Sequence, residues 1–141
     1  MHVLLISAFL SGTVSIVSAV LADTFLSQHI PLAGSFAGLQ FSQNPGVTFG
    51  VAFAPTLQMT LIAVALVAVA WMSLKAHKTA ERVAYGLILG GGLANIIDRL
   101  RDGLVTDYFQ IGSFPVFNVA DSCITVGVGI LFMEFLLKRK G

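Results

Sequence analysis

Charge is what this 141-residue sequence has least of. Charged residues make up 11% of it and hydrophobic residues 56%, whereas a water-soluble domain carries about 25% charged residues. Seven acids and eight bases cannot cover a water-facing surface, so the chain belongs in a bilayer. There is no basic arm or basic repeat, and the net charge is only +1. Nucleic acid is excluded as a partner, because a site that tracks phosphates needs clustered Lys and Arg. The single cysteine, Cys123, excludes a disulfide framework and a thiol-rich metal site. His2, His29 and His77 are scattered, and neither H-E-x-x-H nor C-x-x-C occurs, so neither a metal nor a cofactor is expected. No histidine is placed to activate Cys123, which reads as a small buried hydrophobe. A serine–lysine mechanism would need a lysine at the outer edge, and none is there.

Long apolar runs take the place of charge. Four of them, about Val3–Ala22, Pro55–Leu74, Val83–Ile97 and Val119–Leu137, reach or approach the roughly 17–25 residues that cross a hydrocarbon core as a helix. Lipid offers no partner to backbone polar groups, so these spans must be helical. The first run could instead be a cleaved leader ending at Val20-Leu21-Ala22, but it is too long for one and lacks a positive n-region. The expected architecture is an all-α membrane protein, residues 1–141 forming one four-helix bundle with a small extracytoplasmic β-sheet flap. Lys75, Lys78 and Arg82 lie between the second and third runs, and Lys138, Arg139 and Lys140 follow the fourth. The positive-inside rule makes both segments, and both termini, cytoplasmic. Glu81 and Glu134 then fall on the inner side, while Asp23, Asp98, Asp102, Asp107 and Asp121 gather at the outer edge. Insertion does not require that segregation. Gly86 and Gly90, followed by Gly91, Gly92, Gly127 and Gly129, read as sites of close helix approach.

The outer segments carry the remaining signal. Leu39–Gln43 and Val47–Phe49 read as two short strands about the turn Asn44-Pro45-Gly46. Phe36, Phe41, Phe49 and Phe53 of this flap would either anchor in the interface or cover an apolar ligand. Strand alternation over Leu104–Ile111 puts Asp107 on one face with Val105, Phe109 and Ile111, where desolvation would raise its pKa; the alternative is a solvated loop carboxylate. Asn118 is a natural N-cap for the fourth span, which places Asp121 third in that helix, near the positive end of the dipole. An acid there is ordinary helix-start chemistry. Two carboxylates with pKa values driven apart are also how acid and base roles are divided. Asn95, Asp98 and Arg99 stand at i, i+3 and i+4 and share a helix face. From there Arg99 would hold a carboxylate or head group, or simply snorkel to the interface. Arg101 lies past the expected helix end, and Asp102 reads as a solvated turn residue.

Gly92-Leu93-Ala94-Asn95-Ile96-Ile97-Asp98-Arg99, then Val105-Thr106-Asp107-Tyr108, then Phe117-Asn118-Val119-Ala120-Asp121 together resemble the signature of lipoprotein signal peptidase, or signal peptidase II. Asn44-Pro45-Gly46-Val47-Thr48-Phe49-Gly50 is similar to that family's N-x-G-x-A/T-F motif. The resemblance implies a bacterial inner-membrane aspartic protease with four spans, which cuts signal peptides from prolipoproteins just before a diacylglyceryl-modified cysteine. Lipid-modified prolipoproteins and membrane lipid would be its partners. It implies Asp107 and Asp121 as the catalytic dyad, Asn95, Asp98, Arg99 and Asn118 as its support, and Asn44 and Gly46 on the substrate side. One departure stands out: the family's D-x-x-x-K at the end of the first span is Asp23-Thr24-Phe25-Leu26-Ser27 here. The rival reading is a small proton-coupled transporter, which would need acids deep in the spans.

Overall fold

The computed structural model describes residues 1–48, 51–52 and 54–139. Phe49, Gly50, Phe53 and Lys140, which the sequence reading used, lie outside the described residues.

Four long helices carry the chain: α1 (His2–Phe25), α2 (Pro55–Ser73), α3 (Thr79–Asp102) and α4 (Val119–Lys138). All four are long and apolar enough to cross a membrane. Large apolar side chains such as Phe9, Val64, Val67 and Phe132 stay more than half exposed, as expected where lipid rather than protein is the neighbour. α3 is the central helix, packed between α1 and α4 with α2 alongside.

Glycine makes that packing possible. A Cβ on Gly86 would stand 2.6 Å from Ser7 Cβ and 2.7 Å from the Leu4 carbonyl oxygen of α1, and one on Gly90 would strike Ser11 and the Ala8 carbonyl. Toward α4, Gly91 lies against the Ala120 carbonyl and Gly127 against the Ala84 carbonyl, while Gly92 receives Leu66 of α2. Helices held by backbone approach have no room for side chains at the contact. Gly129 alone of the six meets nothing within 4 Å.

α3 is longer than its apolar run. Expected over Val83–Ile97, it extends to Asp102 and ends on the left-handed Gly103, φ 85°. Arg101 therefore sits in the last turn of the helix rather than beyond it. Hydropathy marks where lipid begins and ends, but backbone hydrogen bonding continues into the interface.

The bundle has two chemically different ends. At one, Lys138 Nζ reaches Glu81 Oε1 at 2.6 Å and Lys78 pairs with Glu134. Glu81 Oε2 also accepts from the backbone N–H groups of His77 and Lys78. Both glutamates are thus neutralised by local bases, and the five aspartates are left to the other end.

There a four-stranded antiparallel sheet covers the helices in the order β1 (Ile30–Ala33), β2 (Ala37–Asn44), β5 (Val105–Ile111), β6 (Phe114–Phe117). The strands flanking Asn44-Pro45-Gly46 do not pair with each other. β2 pairs with β1 and β5, whereas β3 (Val47–Thr48) pairs with β4 (Val51–Ala52) in a second, two-stranded sheet. Local pattern marked the strands, but the partner of β2 lies far along the chain, as in Ser42 opposite Asp107 and Asn44 opposite Val105.

Candidate active site

β5 is buried on both faces at its start: Val105, Thr106, Asp107 and Tyr108 are each 5% exposed or less. The expected apolar face for Asp107 is therefore only half of its environment, since helices cover the other. Asp107 is 2% exposed, yet both of its oxygens are satisfied. Oδ2 accepts from Asn44 Nδ2 at 3.1 Å and Oδ1 from Asn118 Nδ2 at 2.8 Å. Burial pushes its carboxyl up to about 6, and the nearby charge of Asp121 adds to that rise. The Asn44 and Asn118 donors and the charge of Arg99 oppose it without prevailing.

Asp121 reaches the same place from α4. Asn118 caps the helix, its Oδ1 accepting from Asp121 N–H at 2.9 Å, while Asp121 Oδ2 faces the Asn118 N–H at 3.4 Å. Each group thereby satisfies a backbone donor that the helix cannot, and Asp121 is fixed near the positive helix end. Its Oδ1 accepts from Asn95 Nδ2 at 2.9 Å. Asn118 Nδ2 also reaches Asn95 Oδ1 at 3.2 Å. The carboxylates are thus joined by a chain, Asp107–Asn118–Asn95–Asp121, in which each amide donates to one carboxylate and Asn118 also donates to Asn95.

Asn44 owes its position to a turn. Its Oδ1 accepts from Gly46 N–H at 2.8 Å, and Gly46 has φ 90° with the Gln58 side chain packed where a Cβ would stand. Both conditions call for glycine. Gly46 is buried beneath Gln58, whose Nε2 contacts its carbonyl at 3.4 Å.

Asp98 touches neither carboxylate. Its Oδ2 accepts from the backbone N–H of Thr106, next to Asp107, at 2.7 Å. Its ion partner is Arg101 at 3.5 Å, and Arg101 also reaches Asp23 at 3.4 Å, bridging α1 and α3. Arg99 belongs to none of the ion pairs among the described residues. Its Nε is buried without a hydrogen-bond partner, with Asp98, Asp107 and Asp121 near enough to act on its charge. Asp102 is exposed and accepts from Leu104 N–H.

All eight singled-out residues, Asn44, Gly46, Asn95, Asp98, Arg99, Asp107, Asn118 and Asp121, thus meet at the sheet-covered end. Gln58 and Tyr108 join them unannounced. Gln58 carried no signal in the sequence. Tyr108 did carry one, since a phenol in a buried strand needs a polar partner. Among the described residues no group of three or more His, Cys, Asp and Glu side chains has metal-holding geometry. A buried carboxyl held partly protonated, a capped carboxylate beside it and an unspent guanidinium are together equipped for acid–base work on a polarised carbonyl.

Residues 8–137 match the family described as Signal peptidase (SPase) II. The lipoprotein signal peptidase of Symbiobacterium thermophilum is 39% identical over 126 residues, covering 82% of each chain. That of Moorella thermoacetica is 37% identical over 114 residues, 79% of this chain and 76% of the other. A bacterial membrane enzyme solved by the in meso method at 2.3 Å resolution superposes with TM-score 0.89 at 24% identity, over 99% of this chain and 90% of that one. Four membrane-crossing helices and bacterial relatives make this a multi-pass bacterial membrane protein. Agreement over nearly the whole chain, in sequence and in fold, makes it a peptidase of the signal peptidase II family.

Proposed function

We propose that the chain is a single 141-residue aspartic endopeptidase domain that removes signal peptides from diacylglyceryl-modified prolipoproteins, cutting just before the lipidated cysteine. Asp107 and Asp121 form the reacting pair. The observation that carries this reading is the amide-linked chain from the buried Asp107 to the helix-capped Asp121. Two close carboxyls do not both ionise cheaply, so the pair shares one proton. Asp121, held at the start of α4 by Asn118 and Asn95, takes a proton from water, whose oxygen bonds to the scissile carbonyl carbon. Asp107 gives its proton to the carbonyl oxygen. Collapse of the tetrahedral intermediate breaks the C–N bond, a proton passes to the leaving amine, and the pair returns to its one-proton state. Arg99 has donors free for a substrate carbonyl, and Asn44 stands on the substrate side, in a turn that Gly46 permits.

The basic loop and tail orient the bundle with both termini cytoplasmic and the sheet on the outer face of the inner membrane. A site there meets lipid and peptide together, as a lipidated substrate requires. A proton relay finds no support. The helix acids Asp23, Glu81, Asp98, Asp102, Asp121 and Glu134 all lie near helix ends, and α2 has none.

Membranes containing the chain should shorten a lipid-modified prolipoprotein and leave the unlipidated precursor intact. Asp107→Asn, Asp121→Asn and the double variant should be inactive to about the same degree, because the two groups act as one unit. Turnover by either single variant at matched protein amount would sink the dyad.

A further inference from the structure

Tyr108 follows Asp107 on β5, and strand alternation turns its ring to the opposite face. There it packs with Ala22 and Leu26 at the end of α1. The ring is 5% exposed, and its hydroxyl serves two other elements. It donates to Ser18 Oγ of α1 at 2.6 Å and accepts from the backbone N–H of Val119 at 3.2 Å. Val119 is the first residue of α4, directly after Asn118 and two residues before Asp121. Its N–H is one of the first-turn donors that the helix itself leaves unpaired. One oxygen therefore ties the residue after Asp107 to the turn that carries Asp121, with α1 as the brace. On the other side of Asp107, Thr106 is held through its N–H by Asp98 and through its carbonyl by Asn118.

We infer that Tyr108 is a positioning residue whose hydroxyl sets the spacing, and so the electrostatic coupling, between the Asp107 strand and the Asp121 helix turn. The inference rests on the proposed role of these two aspartates as the reacting pair. Tyr108 touches neither reacting carboxylate through its hydroxyl. The other charged group facing the pair is Arg99 of α3, with Asp98 acting on Arg99 from the same helix, and β2 contributes the neutral Asn44. Repulsion between the members of a carboxyl pair splits its two macroscopic ionisations. Loosening the strand from the helix brings those ionisations together and misaligns the proton transfers.

Tyr108→Phe keeps the ring and deletes both hydrogen bonds. In purified full-length protein in lipid nanodiscs it should lower kcat about tenfold, in line with the cost of misplacing reacting groups by a fraction of an ångström. KM should hold within about twofold, and the bell-shaped pH–rate profile should narrow. Leu26→Ala, which opens a cavity in the same apolar cluster, should lower Tm and leave the width of the bell unchanged. Wild-type kcat and bell width in Tyr108→Phe would overturn the inference. So would a loss of kcat with an unchanged bell and a Tm drop like that of Leu26→Ala, because the tyrosine would then merely hold the fold. If Tyr108→Phe does not accumulate, Ser18→Ala removes the hydroxyl's acceptor alone. A narrowed bell in that variant supports the inference and an unchanged one refutes it. Asp107→Asn measured alongside separates the two readings, since its inactivity secures the pair whatever Tyr108→Phe shows.

Discussion

Replacing Asp107 by asparagine should make the protein inactive and, at neutral pH, more stable. The carboxyl is raised from 3.8 to about 6, with burial the largest cause. An acid with a higher pKa folded than unfolded binds its proton more tightly in the folded state. Its stabilising contribution is complete below the unfolded value and is lost as pH rises through about 6. A rise of about 2 corresponds to about 3 kcal/mol, at about 1.4 kcal/mol for each pH unit. An asparagine amide resembles the protonated acid in size and hydrogen bonding but never ionises. The variant should therefore match the native protein near pH 4 and exceed it by up to about 3 kcal/mol at pH 8, a gain of several degrees in Tm. Thermal unfolding in lipid nanodiscs, followed by Trp71 fluorescence at pH 4, 6 and 8, measures this. Asp102→Asn is the comparison: that residue is exposed, its one acceptor role toward Leu104 N–H at 2.9 Å survives in an amide, and neither stability nor turnover should change. In the native enzyme kcat/KM should fall above about pH 6 as Asp107 loses its proton. A gain of equal size at every pH would mean that packing rather than ionisation is responsible. A loss at pH 8 would refute the claim that burial opposes the charged form of Asp107.

Arg99→Lys should impair turnover more than Arg101→Lys, because a half-buried planar guanidinium whose Nε is enclosed without a partner is not replaced by an ammonium. Arg101 is half exposed, so its pairs with Asp23 and Asp98 are worth about 1 kcal/mol or less and a lysine can keep them; equal tolerance in an activity assay would reduce Arg99 to an interface anchor. Gly90→Ala should sharply reduce the amount of folded protein in membranes, since the new methyl meets Ser11 and the Ala8 carbonyl of α1. Such overpacking costs about 1–3 kcal/mol, whereas Gly129→Ala, with open space around it, should accumulate normally. With Cys123 changed to serine, a cysteine at Ser35 should react with an impermeant reagent on intact cells and one at Lys75 should not. The reverse pattern would overturn the orientation.

Composition and short-range pattern were enough for much of this protein. The scarcity of charge placed it in a membrane, because solvation is a bulk property of the chain. Four apolar runs located the helices, and the base distribution divided the bundle into two ends. The Asn118–Asp121 cap was legible because both partners lie within one helical turn. The five aspartates singled out one end of the bundle, the end that the sheet covers.

What depends on distant residues was not legible. Alternation gave the facing of Asp107 along β5 but not the helices that close over it, and those decide its 2% exposure. The strand opposite β2 could not be read from the Asn44 turn, because its hydrogen bonds go to β5 across the chain. Arg101 rather than Arg99 takes the ion pairs because α3 continues one turn past the apolar run and brings Arg101 within reach of Asp23 on α1. Tyr108 gained its two partners only when α1 and the start of α4 were packed around the sheet. Local sequence fixes which groups can ionise, cap or donate, since these are properties of single residues and single turns. Whether a carboxyl is buried, and which groups then face it, is set by elements far apart in the chain, and only their packing decides it.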